Sequence, residues 1–150
     1  MTRLSLFATP APTLAVEIAT RRVSAIAVAR HGGATLVSAH ASEPLPPGAV
    51  APGLNGANIA DRPALVAALG RALGRLGVRT RRAALVIPDL AAKVSLVRLE
   101  KVPPRDQDLA QLMRWHVRKA APFRIEDAQV TYTPGLAQPD GGREYLLALA

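Results

Sequence analysis

Leu14-Ala15-Val16-Glu17-Ile18-Ala19-Thr20-Arg21-Arg22-Val23-Ser24-Ala25-Ile26-Ala27-Val28-Ala29-Arg30 is the stretch on which the fold depends. Leu14, Val16 and Ile18 alternate with Ala15 and Glu17, the period-two pattern of a strand. Residues 19–22 make a short break, and a second apolar run follows over 23–30 with Val23, Ile26 and Val28. His31-Gly32-Gly33 then separates this run from a third, 34–41. A Gly-Gly pair between strand-like runs is a hairpin signal. The chain is therefore expected to open as a three-stranded meander.

Residues 43–60 carry four prolines and three glycines and read as a long irregular connection. Asp61 is the expected N-cap of a helix with Pro63 in its first turn and Gly77 as its C-terminal cap. Leu65, Leu69, Leu73 and Leu76 are its expected buried face, with Gly70 and Gly74 allowing close approach to the sheet. The arginines at 71, 75, 79, 81 and 82 have no acid between them. They read either as a solvated face complementing the helix C-terminus or as a docking patch for acidic lipid or protein. Residues 83–87 form a short continuous apolar run, the pattern of a strand buried on both faces, stopped by Pro88.

From Lys93 the alternation returns, with Val94, Leu96 and Arg98 on one face and Ser95, Val97 and Leu99 on the other. Asp106 is the expected N-cap of a second helix, over 106–120, with Leu109, Leu112, Met113, His116 and Val117 on one face. Strands are expected at 129–133 and 145–150, separated by the turn at 139–142. The order from Lys93 is thus strand, helix, strand, strand. The expected organisation is a flexible N-terminus at 1–12, a first subdomain at 13–91 and a second at 92–150. The chain stops within the apolar run Tyr145–Ala150, which suggests a longer natural chain cut at 150.

Composition narrows the chemistry. Among 150 residues there is no cysteine, so thiolate metal sites and cysteine nucleophiles are excluded. His31, His40 and His116 share no ligand spacing, no serine sits in a glycine-framed elbow, and there is no P-loop. The net charge is +8, and sixteen of the nineteen basic residues are arginine, which suits carboxylate or phosphate recognition. The five aromatics are too few and scattered for a base-stacking surface, so nucleic acid is not an expected partner. The N-terminus lacks a signal-peptide core, and no segment is long and apolar enough to span a bilayer, so a cytoplasmic protein is expected. A tight turn between strands, such as 18–22, can aim backbone N–H groups and a hydroxyl at phosphate oxygens.

These features together resemble the type IV pilus assembly protein PilM family, members of the actin-like ATPase superfold related to FtsA. The family opens with Asp-Ile-Gly-Ser, here Glu17-Ile18-Ala19-Thr20, and Ser24 falls where a lysine would be. A leucine-proline-glycine loop corresponds to Leu45-Pro46-Pro47-Gly48, and a strand ending in proline to Ala84-Leu85-Val86-Ile87-Pro88. The arginine-bearing strand corresponds to Val97-Arg98-Leu99 followed by Val102-Pro103, and the isoleucine-proline-phenylalanine after the helix to Ala121-Pro122-Phe123. His116 stands where a glutamate is usual.

The resemblance implies an α/β fold: part of an actin-like (ribonuclease H-like) first lobe, with an inserted strand-helix-strand-strand (SHS2) subdomain. It implies a cytoplasmic scaffold, peripheral at the inner membrane, whose partner is the short tail of a PilN-like protein; homo-oligomers are compatible with it. ATP and magnesium are the cofactors it implies, with Glu17, Ala19 and Thr20 at the phosphate turn. The departures at 17, 19 and 24 point to a degenerate nucleotide site. Trp115 lies off the apolar helix face, with Gln111, Arg118 and Lys119, and a large aromatic so placed is a candidate interface anchor. Trp115, Arg118 and Phe123 are therefore the expected partner-binding residues. The cytoplasmic domain of type II secretion protein L, an MSHA pilus biogenesis protein and an active actin-fold ATPase are the alternatives.

Overall fold

β1 (Leu14–Ile18) and β2 (Arg22–His31) pair antiparallel, Leu14 opposite Ala27 and Ile18 opposite Val23, as the alternation predicts. The computed structural model describes residues 11–118, 121, 123, 124, 126, 128–139 and 141–150. The expected flexible terminus thus lies outside the described residues, apart from 11 and 12. Gly32 and Gly33, at φ 57° and 83°, turn the chain into β3 (Ala34–Pro44). Two successive positive φ values match the twist of a two-residue hairpin and favour glycine. Ser38 is an extra residue on β3, where the register shifts between Ala27 and Val28, and its hydroxyl donates to the Ala27 carbonyl at 3.1 Å.

After the irregular segment, the Asp61 side chain accepts from Ala64 N at 2.9 Å and caps α1 (Arg62–Leu76). Gly77, left-handed at φ 62°, ends the helix. The buried line of α1 is Leu65, Ala68, Ala72 and Leu76. Leu69 packs only partly and Leu73 is exposed, which corrects the all-leucine face. Leu73 sits roughly 80° around the helix from this line at 100° per residue, and the alanines let α1 close on Val16, Val23, Ala25 and Ala41. Gly70 and Gly74 do not face the sheet either. A Cβ on either would meet nothing within 4 Å. Gly70→Ala and Gly74→Ala should each therefore stabilise the protein by about 0.5–1 kcal/mol; a lower urea midpoint for either would contradict this packing.

β4 (Ala84–Val86) pairs parallel with β1 and completes a sheet of order β3-β2-β1-β4. It is not buried on both faces as its apolar run suggests. Leu85 is 61% exposed, because β4 is an edge strand and α1 packs over β2 and β3.

The one buried charge of this sheet is Glu43, near the end of β3. Arg71 Nε donates to its Oε2 at 2.8 Å, and Arg75 Nη1 lies 2.7 Å from its Oε1. Arg71 and Arg75, one turn apart, thus tie α1 to β3, a role neither sequence reading of these arginines foresaw. The Arg71 hydrogen bond, opposed by burial and reinforced by both guanidinium charges, holds the Glu43 carboxyl below the usual glutamate range. Because the folded-state pKa is depressed, this stabilisation is full above the unfolded value and is lost as pH falls through the folded one. Glu43→Gln should therefore lower thermal stability at neutral pH, and its deficit should shrink on acidification below about pH 4. A deficit that stayed constant across an acid titration would remove Glu43 from the acid response.

The second unit joins Asp89–Ala150 with the segment Pro52–Asn58. Its division from the first, after Pro88, precedes the 91/92 boundary read from sequence. A 3₁₀ turn at Asp89–Ala91 leads into β5 (Lys93–Leu99), α2 (Asp106–Arg118), β6 (Val130–Ala137) and β7 (Arg143–Leu149). The strands order as β5-β7-β6, all antiparallel. Asp106 is already helical, since Leu109 N bonds to Arg105 O, so with Asp108 it stabilises the first turn instead of capping it. β6 continues through Pro134 and Gly135, past the expected end at 133. As an edge strand with a register shift there, it tolerates a residue lacking N–H. Leu109, Met113 and Val117 of α2 pack with Leu99, Tyr145, Leu147 and Leu149, while Val94, Leu96 and Leu146 on the opposite sheet face are exposed.

Candidate functional site

Period-two alternation sends Ala15 and Glu17 of β1 to the sheet face opposite α1. The antiparallel register brings Ser24 and Ile26 of β2 and His40 and Ser42 of β3 to the same face. With Arg22 and Val86 they line an open groove of about 510 Å³. Arg22 spans the β1–β2 turn. Its Nη2 lies 3.4 Å from Glu17 Oε2, and its Nε donates to Ser24 Oγ at 3.2 Å. Ser24 Oγ is in turn 3.4 Å from Ser42 Oγ, so a polar ladder crosses three strands. The Glu17–Arg22 pair is half-exposed and contributes at most about 1 kcal/mol.

The turn is closed by its own backbone. Ala19 N–H donates to Arg22 O at 2.9 Å, and Leu45 N–H donates to Arg21 O at 2.8 Å. Among the described residues, no non-glycine has a positive φ, so alanine at 19 fits without strain. Glu17, Ala19 and Thr20 are thus together at one turn. The Ala19 amide and the Glu17 carboxylate, the groups a phosphate and its cation would need, already hold other partners. Thr20 is exposed. Ser42 and His40 were not foreseen as groove residues. Their only signal is cross-strand register, which the extra residue at Ser38 obscures.

In the second unit, Trp115 is 54% exposed on α2, its ring T-shaped against His116 with centroids 5.3 Å apart. Arg118, one turn on, is also exposed. Phe123 differs from both: it packs against the core with Leu112, Ala121 and Ala128. The expected trio therefore divides into two exposed side chains on one helix and one that braces the core beneath it. Lys119, read with Trp115 from the helical wheel, lies outside the described residues.

A mixed four-stranded sheet with one covering helix, followed by strand-helix-strand-strand, defines a two-unit α/β protein. Among solved structures, a chain of a PilM-PilN type IV pilus biogenesis complex is similar to it, with a TM-score of 0.75 and 24% identity over 94% of this chain. At that identity the likeness is one of fold, and this chain spans 41% of that chain's length. No protein-family model and no curated protein matches the sequence. No helix among the described residues is long and apolar enough to cross a membrane.

Proposed function

We propose that the chain belongs to a PilM-like scaffold of a type IV pilus or related secretion machine, acting at the cytoplasmic face of the inner membrane. It would bind the cytoplasmic tail of a PilN-like protein. The observation that carries this reading is the fold likeness, which extends over nearly the whole chain and both of its units. The exposed Trp115 and Arg118 support a contact surface on α2.

The reading includes a nucleotide site that has lost its purpose. Glycine permits close backbone approach to phosphate, and position 19 is alanine. Its N–H is engaged by Arg22 O, and Glu17 faces the Arg22 guanidinium.

Calorimetry of the full chain tests both parts. Saturable binding of a synthetic PilN-like tail peptide is expected, and absence of heat at any concentration would refute the scaffold reading. ATP with magnesium is expected to bind no more tightly than about 1 mM, about 4 kcal/mol. Micromolar ATP binding would instead restore a working phosphate turn.

A further inference from the structure

In the first unit the acids gather at one end of the sheet, where Arg21, Arg22 and Arg62 also lie. Residues 11–51 and 59–88 hold nine arginines and three acids. Glu17 is next to last in β1, Glu43 lies opposite Val23 at the start of β2, and Asp61 caps the N-terminus of α1. Among the described residues of this unit, the opposite end of the sheet has no acid. β4 runs parallel to β1 with Ala84 beside Ala15, so the connection from Gly77 to Ala83 arrives where β1 begins. β2 is antiparallel to β1 and leaves toward the same end, where Val28 N–H bonds Thr13 O and the Gly32-Gly33 hairpin follows. Arg79, Arg81 and Arg82 on the connection and Arg30 on the hairpin therefore share one end of the sheet.

All four are exposed, and their side chains hold no ion pair or hydrogen bond among the described residues, unlike Arg22, Arg71 and Arg75. Exposed apolar side chains accompany them: Leu36 and Val37 on the hairpin, 54% and 63% exposed, and Val78 on the connection. We propose that this end of the first unit is a docking surface for an anionic phospholipid bilayer. Arginine forks meet headgroup phosphates bidentately, and the flanking Leu36, Val37 and Val78 enter the boundary between headgroup and acyl chain. The described residues of this unit contain no Phe, Tyr or Trp, so the large rings of a base-stacking surface are absent there. The inference rests on charge placement within one unit and goes beyond the tail-binding reading.

Co-sedimentation of the full chain with phosphatidylcholine vesicles containing phosphatidylglycerol, against pure phosphatidylcholine, tests it. Binding to the anionic vesicles alone, falling as salt is raised, is expected. Each neutralised arginine should lower the partition coefficient about fivefold, so the triple variant Arg79→Gln, Arg81→Gln, Arg82→Gln should lose about 100-fold. A control with equal charge loss elsewhere, Arg62→Gln, Arg105→Gln, Arg114→Gln, should lose far less. Equal loss in both triples would show a general charge effect and overturn the assigned surface. Binding to neutral vesicles, or no vesicle binding, would overturn the lipid assignment. Preferential capture of poly-glutamate or duplex DNA through the same three arginines would overturn it in favour of those partners. Because no tail peptide is present, a failed tail-binding experiment leaves this outcome unaffected.

Discussion

Met113→Ala is expected to destabilise the second unit by about 3 kcal/mol. Met113 has no exposed surface and lies among Leu109, Val117, Leu147 and Leu149, so truncation removes its thioether from the centre of that core. Alanine suits the helix at least as well as methionine, so the loss comes from packing and not from helix propensity. The chain's only tryptophan, Trp115, lies two residues along the same helix, which makes its fluorescence a direct reporter of this unit during urea unfolding. A shift below about 1 kcal/mol would mean that the core collapses around the deletion, since a retained cavity costs more.

Trp115→Ala should leave the fold intact and weaken tail-peptide binding by about 2 kcal/mol, or about 30-fold. The side chain is 54% exposed and off the buried line of α2, so its removal opens no cavity in the core. Hot-spot anchors are typically large aromatics held in a fixed orientation, and the edge contact with His116 supplies such a constraint. Arg118→Ala should have a smaller effect, as an exposed charge at the rim of an interface does. Unchanged peptide affinity with an unchanged circular dichroism spectrum would remove Trp115 from the binding surface. Loss of the fold would give it a structural role instead.

The elements that were legible in the sequence carry their own local chemistry. Gly32-Gly33 could only be a turn between alternating strands, and Asp61, Pro63 and Gly77 mark both ends of α1. What was misread depends on neighbours distant in sequence. Ala68 and Ala72 carry little hydropathy, yet they form the seam of α1, whereas the more apolar Leu73 points away. The run at 83–87 looks doubly buried because composition does not say how far a covering helix reaches. Glu43 sits between Ser42 and Pro44, a tripeptide that reads as the start of a loop, and only the fold brings Arg71 and Arg75 onto it. Glu17, Ala19 and Thr20 were legible as neighbours at one turn because they are nearly contiguous. The ladder through Ser24 and Ser42 was not, because it requires the register of β2 on β3.

The exposed edge of β4 has a consequence for how molecules of this chain behave together. An edge strand presents unpaired N–H and C=O groups, here beside uncovered Leu85 and Val86, and such an edge invites intermolecular ladders. Pro88 keeps it short, since the strand ends at Val86. The rest of the protection is electrostatic: like charges of +8 hold copies apart. That repulsion reaches about 10 Å at 0.1 M salt and only about 3 Å at 1 M. The colloidal stability of the chain is therefore set by ionic strength, and high salt brings two edges close enough to compete with solvent for each other's backbone.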